Sequence, residues 1–358
     1  MKFSPDNVTY YHPSDRDEKV RETLTYDDVL LVPQYSNIRS RSEINIGSVL
    51  NGASGVTRLS LPIIASPMDT ISESEMGIAM WQEGGLAVIH RYSSIEEQCE
   101  TVDQVLFART NAAAAIGTSG DYLDRATALY DAGVRILCVD VAHGHHVLMK
   151  EALEDLRNVF SDTVHIIAGN VATLEGYNDL VDWGADSVRC NIGGGSICST
   201  RIQTGHGVPG LQTIIDCAKS DREAAIIADG GIRNAGDIVK ALAAGADFVM
   251  LGSLLAGTDE TPGDVINTRK GKFKPYRGMA SQDAQIEWRG STASLEGIAT
   301  TVPCKGPVED VLEELGRGIR SGFSYSGART LGELQAKAKF IRQTSAGTNE
   351  SKTHILSR

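Results

Sequence analysis

Eight short apolar runs, each closed by a polar or glycine residue and followed by a helical stretch, constrain this chain more than any other feature. They lie at 61–66 (LPIIAS), 86–90 (LAVIH), 112–117 (AAAAIG), 136–140 (ILCVD), 165–169 (HIIAG), 187–191 (SVRCN), 225–229 (AIIAD) and 248–252 (FVMLG). Runs apolar on both faces suit parallel strands covered by helices, and the segments between them have room for a crossover helix each. Ala132-Gly133, Gly184-Ala185-Asp186 and Gly245-Ala246-Asp247 precede the fourth, sixth and eighth runs. Glycine there ends a helix in a left-handed turn and sends the chain into the next strand. Eight such units predict an α/β fold, a closed (β/α)8 TIM barrel, over an open doubly wound sheet, which would not need this count. Residues 1–23 read as an N-terminal extension and 23–60 as a cover with extended pieces. Residues 259–306 read as a long late loop, a flap without a long helix. Helices follow at 309–317 and 330–343, then a polar tail at 344–358. No inserted regulatory domain is visible, so 1–358 reads as one catalytic domain.

Composition narrows the function class. With 34 Lys+Arg against 46 Asp+Glu, the net charge of −12 argues against a duplex nucleic-acid binder, which needs a basic face to displace phosphate counterions. No apolar stretch approaches the ~20 residues that span a bilayer, and the polar start of the chain lacks the apolar core of a leader. The six cysteines are scattered without a CxxC, which fits a reducing, cytoplasmic setting better than a disulfide framework.

In a parallel barrel the chemistry sits on the loops after the strands. There the sequence gathers Ser66-Pro67-Met68-Asp69, His90-Arg91-Tyr92, Asp140 with His143, His145 and His146, Asn170, residues 193–200 (GGGSICST), Asp229-Gly230-Gly231 and Gly252-Ser253. Three glycines let a backbone approach a ligand, and their N–H groups, with Ser196, can make an anion-binding concavity. Cys198 on that loop reads either as an exposed thiol beside a substrate or as a buried structural cysteine. The other five cysteines read as core or loop residues. Backbone N–H groups at Gly231, Gly252 and Ser253 suit a phosphate, and Asp229 a ribose diol, although ordinary turn chemistry also favours glycine at strand ends. The histidines are spaced too tightly for a helical ligand pair, and no carboxylate or thiolate completes a zinc site. A loop lining a cofactor pocket is the better reading.

The chain resembles the family containing IMP dehydrogenase and GMP reductase. The likeness rests on LTYDDVLLVP at 24–33, ASPMDT at 65–70, VDVAHGH at 139–145, AGNVAT at 168–173 and NIGGGSICSTR at 191–201. It continues through IIADGGIRNAGDI at 226–238, GADFVMLGSLLAG at 245–257 and YRGMAS at 276–281. This resemblance implies that Cys198 attacks C2 of a purine nucleotide to form a covalent thioimidate. It implies that Ser66, Met68, Ser196, Gly231, Gly252, Ser253, Tyr276, Gly278 and Met279 surround the phosphate and base while Asp229 holds the ribose. Asp140, Ala142, His143 and Asn170 would border the nicotinamide nucleotide, and Thr200 and Glu296 would manage the proton. It also implies a homotetramer, and in the dehydrogenase branch a monovalent cation, K+, on backbone carbonyls of Gly193, Gly195 and Cys198. The chain departs from the family pattern at Gly194, usually proline, at Asn191, usually glycine, and at Arg189, usually lysine.

The two branches differ in the fate of the covalent intermediate. The dehydrogenase removes hydride from IMP with NAD and hydrolyses the intermediate with an Arg-Tyr base on a mobile flap. The reductase expels ammonia from GMP and delivers hydride from NADPH, with no need for that base. Between 278 and 306 this chain has Trp288-Arg289-Gly290 and no Arg-Tyr pair, and no insertion separates His90 from Ala112. The expectation is therefore an NADPH-dependent GMP reductase. An NAD-dependent IMP dehydrogenase, and a non-catalytic purine-nucleotide sensor on the same barrel, are the alternatives.

Overall fold

The computed structural model describes residues 20–52, 55–292 and 295–353; the expected N-terminal extension and the end of the tail fall largely outside them. All eight runs form parallel strands: β1 (Ile63–Ala65), β2 (Leu86–Ile89), β3 (Ala113–Ile116), β4 (Ile136–Asp140), β5 (His165–Val171), β6 (Ser187–Cys190), β7 (Ala225–Asp229) and β8 (Phe248–Leu251). They close on themselves in sequence order, β8 pairing with β1 through Val249–Ile63, Met250–Ile64 and Leu251–Ala65. The chain is thus a (β/α)8 barrel. Successive side chains alternate, so that Ile64, Val88, Ala115, Cys138, Ile167, Ile227 and Met250 fill the barrel. Ile63, Ile89, Leu137, Ile166, Val188 and Val249 pack outward against the helices.

The helices around the barrel are α1 (Ser74–Gln82), α2 (Ile95–Phe107), α3 (Tyr122–Asp131), α4 (Val147–Phe160), α5 (Leu174–Asp182), α6 (Gly210–Cys217), α7 (Ala235–Ala243) and α8 (Val308–Tyr325). Local capping sets the starts of α2, α5 and α7: Ser94 accepts from the Glu97 amide, Thr173 from Gly176 and Asn234 from Asp237. Gly184 (φ 116°) and Gly245 (φ 120°) make the left-handed exits expected of them. The aspartate after each has a further task. Asp186 accepts the Ile166 amide (2.7 Å) and Asp247 the Ile226 amide (2.8 Å), fastening each strand start to its neighbour. α2 alone joins β2 to β3.

A hairpin, Ser48–Gly52 with Gly55–Leu59, closes the N-terminal end of the barrel, and its Leu50 and Leu59 enter the barrel core. Two expectations need correction. The helix expected over 330–343 stops at Lys337, because Phe340–Arg342 leaves it to pair with Val29–Leu31. The late loop is folded: Ile266–Thr268, Gly271–Arg277 and Ala299–Pro303 form an antiparallel sheet carrying a helix, Gln282–Arg289. The buried Lys274 ammonium anchors that sheet by donating to the carbonyls of Thr258 (3.2 Å), Asp259 (2.8 Å) and Thr261 (2.6 Å).

Candidate active site

One cavity of about 320 Å³ opens at the C-terminal ends of the strands. Ser66 and Met68 after β1, Asp140 and Ala142 at β4, Asn170 on β5, and Gly193, Gly195, Ser196, Cys198 and Thr200 after β6 all line it. So do Asp229 and Gly231 at β7, Gly252 and Ser253 after β8, and Tyr276, Gly278, Met279 and Glu296 from the late region. Of the residues expected in the site, His143 alone is not in the lining; it is exposed on the rim. Its neighbours have local partners: His145 pairs with Asp179 (2.8 Å) and His146 caps α4 through the Leu148 amide. Among the described residues no histidine, cysteine and carboxylate cluster could hold a metal.

At one end Ser66, Gly252 and Tyr276 converge. A Cβ on Gly252 would stand 3.1 Å from Ser66 Oγ and 3.2 Å from the Tyr276 hydroxyl, so only glycine leaves that space open. Ser66 Oγ is buried without a partner, the mark of a donor awaiting a ligand. The Tyr276 hydroxyl lies 3.4 Å from Ser196 Oγ, and burial raises its pKa, keeping it a proton donor.

At the other end lies the half-buried Cys198, whose thiol donates to Thr200 Oγ1 at 3.1 Å. The late region straps this loop down: the Ser199 amide donates to the Glu296 carbonyl (2.8 Å), and the Ile298 amide to that of Ile197 (3.1 Å). Glu296 therefore faces the same cavity as Cys198, though it lies almost a hundred residues later. The other cysteines are different. Burial pushes the Cys138 thiol up to about 12, and Cys190 well above its ordinary value. Both stay neutral, as a core cysteine should.

Between the two ends lies a residue the sequence flagged only as a departure. Arg189, buried on β6, donates to Asp140 through Nη1 and to Asp229 through Nη2 (2.9 Å). Asn170 Nδ2 adds a second bond to the same Asp229 oxygen (2.7 Å). Arg189 thus joins the acid expected to hold the ribose to the acid expected at the cofactor. An arginine inside an apolar strand run was the signal for it. Arg91 and Tyr92, which the sequence placed among the strand-end residues without a role, also line the cavity; Tyr92 stacks on Trp288 of the late helix (4.2 Å between centroids, 11°). Arg91 Nε and Arg189 Nε are buried without partners beside Asp140, which fits a polar cofactor at this end. The carbonyls expected to hold K+ fit less well. The Gly195 carbonyl accepts the Cys198 amide (3.2 Å), and the Arg201 side chain packs against Gly193.

A family model described as IMP dehydrogenase / GMP reductase domain matches residues 23–354. The GMP reductase of Leishmania major is 34% identical over 483 residues, covering 94% of this chain and 98% of that protein. The inosine-5'-monophosphate dehydrogenase of Nitrosopumilus maritimus is 33% identical over 472 residues, covering 93% and 98%. A solved GMP reductase variant from Trypanosoma brucei, in complex with guanosine 5'-monophosphate, matches with a TM-score of 0.88 at 31% identity. That match covers 95% of this chain and 99% of the other.

Proposed function

This chain belongs to the IMP dehydrogenase / GMP reductase family of oxidoreductases, and from that premise we propose that it is a GMP reductase, converting GMP to IMP and ammonia with NADPH. The observation that carries this reading is the connection between the late helix and Glu296. Only six residues, GSTASL, follow Arg289, and no Arg-Tyr pair stands between 278 and 306 to serve as a hydrolytic base. The helix itself is tied down, by Trp288 on Tyr92 and by Arg277, which bridges Asp69 (2.6 Å) and Glu287 (2.6 Å).

In this reading Ser66, Ser196, Tyr276 and the amides at Gly231, Gly252 and Ser253 hold the phosphate, and Asp229, fixed by Arg189 and Asn170, accepts the ribose hydroxyls. Cys198 sulfur then bonds to C2 of the base, making that carbon tetrahedral. The thiol proton passes through Thr200 and Glu296 to the 2-amino group, which leaves as ammonia. The nicotinamide cofactor, held by Asp140, Ala142 and Asn170, supplies a hydride to C2 when bound. The C–S bond breaks, IMP departs, and the sulfur recovers a proton from solvent. One proton is consumed, C2 is reduced and the cofactor is oxidised.

The test is a paired assay that follows absorbance of the reduced cofactor. GMP with NADPH should lose absorbance and IMP with NAD should gain none. The reverse result would make the protein a dehydrogenase. Silence in both assays, with nucleotide still bound, would make it a sensor.

A further inference from the structure

We propose that Asn191 positions the Cys198 loop and that it does so as a matched pair with Gly194. The inference rests on the nucleotide site proposed above. Asn191 follows β6 with φ at 137°, a conformation that costs strain in any residue but glycine. Its side chain is buried, at 3% exposure, and spans two parts of the site. Nδ2 donates to the Gly230 carbonyl (3.3 Å), next to Asp229. Oδ1 accepts from Arg201 Nη2 (3.2 Å), in the short helix that begins at Thr200. The amide thus links the ribose side of the cavity to the segment that follows the nucleophile. The Asn191 carbonyl also accepts from Asn170 Nδ2 (3.0 Å).

The space is exclusive. A Cβ on Gly194 would stand 2.0 Å from Asn191 Nδ2, 2.8 Å from its Cγ and 3.0 Å from its Oδ1, so the three atoms nearest to it all belong to that side chain. Gly194 does not have a positive φ, so the asparagine is the obstacle to a side chain there. One of the two positions can carry a side chain, not both. The loops above this strut touch backbone to backbone: a Cβ on Gly230 would lie 3.0 Å from the Gly195 nitrogen and 3.2 Å from the Gly194 carbonyl carbon. Moving Asn191 therefore moves the turn that leads into Cys198.

Four proteins decide the matter: wild type, Asn191→Gly, Gly194→Ala and the double variant. Two readouts are taken, kcat with GMP and NADPH, and the pH profile of Cys198 alkylation by iodoacetamide, followed by peptide mass spectrometry. Each single variant should lose about 10- to 100-fold in kcat through misplacement of the sulfur, with an altered alkylation profile. Gly194→Ala should cost nothing further in the Asn191→Gly background, because the clash is then gone. Wild-type kcat and alkylation in Asn191→Gly, or losses that multiply in the double variant, would overturn the proposal. So would a lower thermal midpoint with both readouts unchanged, which marks a structural residue. Alkylation needs no turnover. If no variant, wild type included, acts on GMP while the alkylation profiles differ as expected, the strut stands and the assigned reaction falls.

Discussion

At each end of the barrel an arginine is held by aspartate at strand termini, but the two ends are finished differently. At the N-terminal end every Arg157 nitrogen is used: Nε donates to the Gly184 carbonyl (2.8 Å), Nη1 to those of Ser161 and Val164 (3.0 Å each), and Nη2 to Asp186 (2.6 Å). His165 completes the group through Ser187 Oγ (2.8 Å), and Gly52 of the hairpin covers it so closely that a Cβ would lie 2.8 Å from the ring. At the C-terminal end Arg189 has both Nη atoms paired and Nε left over. Of six buried polar atoms without partners among the described residues, four belong to Ser66, Asp69, Arg91 and Arg189, all at this end. A buried orphan costs about 1–3 kcal/mol, so a fold keeps several together only where something else will pair with them. Closure marks the end that holds the fold; incompleteness marks the end that binds.

The largest effect that would sharpen this contrast is the loss of the sulfur. Cys198→Ala should lower turnover by more than about 10³-fold while nucleotide still binds, measured by steady-state rates and equilibrium titration. Cys217→Ala, in the packed core behind the strands, should lower the unfolding midpoint and leave kcat per folded molecule alone. Retained turnover in Cys198→Ala would end the covalent mechanism.

Next is the closed end. Arg157→Ala removes four hydrogen bonds and leaves Asp186 with only the Ile166 amide and a distant imidazole. The expected cost is roughly 2–4 kcal/mol in urea unfolding, with KM for GMP unchanged. A change in KM without a change in stability would mean that the two ends are not separate in function.

This division also explains what the sequence made legible. The barrel could be read because each strand is apolar on both faces and each Gly-Ala-Asp marks a helix exit. The aspartates of that motif were not legible, because their bonds go to a strand distant in sequence. The late sheet was missed for a related reason: 299–303 is largely exposed, the buried positions of 271–277 are Lys274 and Tyr276 and not an apolar run, and one buried lysine on three carbonyls orders the region. In the site, the glycine–cysteine loop and Asp229 announced themselves by position at strand ends. Glu296 could be found only through family likeness, since nothing local in LEGIATT marks a residue that lines the cavity. Asn191 showed as a departure, and its pairing with Gly194 needed coordinates.

A smaller effect concerns pH. Burial lowers the His165 pKa from 6.5 to about 4, so the unfolded chain takes up this proton first and stability is lost as pH falls from 6.5 towards 4. Burial raises Asp247 from 3.8 to about 6, so its contribution runs the other way: stability is lost as pH rises from 3.8 through 6. In the window of pH 4 to 6 the two oppose each other. Urea midpoints of Asp247→Asn should therefore fall more steeply on acidification than wild type, and those of His165→Gln less steeply. Parallel curves for all three proteins would show that neither buried group governs acid stability at this end.

The smallest effect falls where the open end meets the late helix. Tyr92 and Trp288 stack, and the Arg91 guanidinium lies 5.4 Å from the Trp288 ring centre while its Nη2 donates to the Asp140 carbonyl (3.3 Å). An aromatic pair of this kind is worth about 0.5–1.5 kcal/mol, and Arg277 continues to hold the helix when it is gone. Trp288→Ala should therefore loosen the cofactor end alone: KM for NADPH rises about 2- to 10-fold, KM for GMP stays put, and Trp288→Phe restores most of the loss. Equal changes in both KM values would mean that the late helix shapes the whole cavity, and that the open end is a single unit instead of a nucleotide half and a cofactor half joined through Arg189.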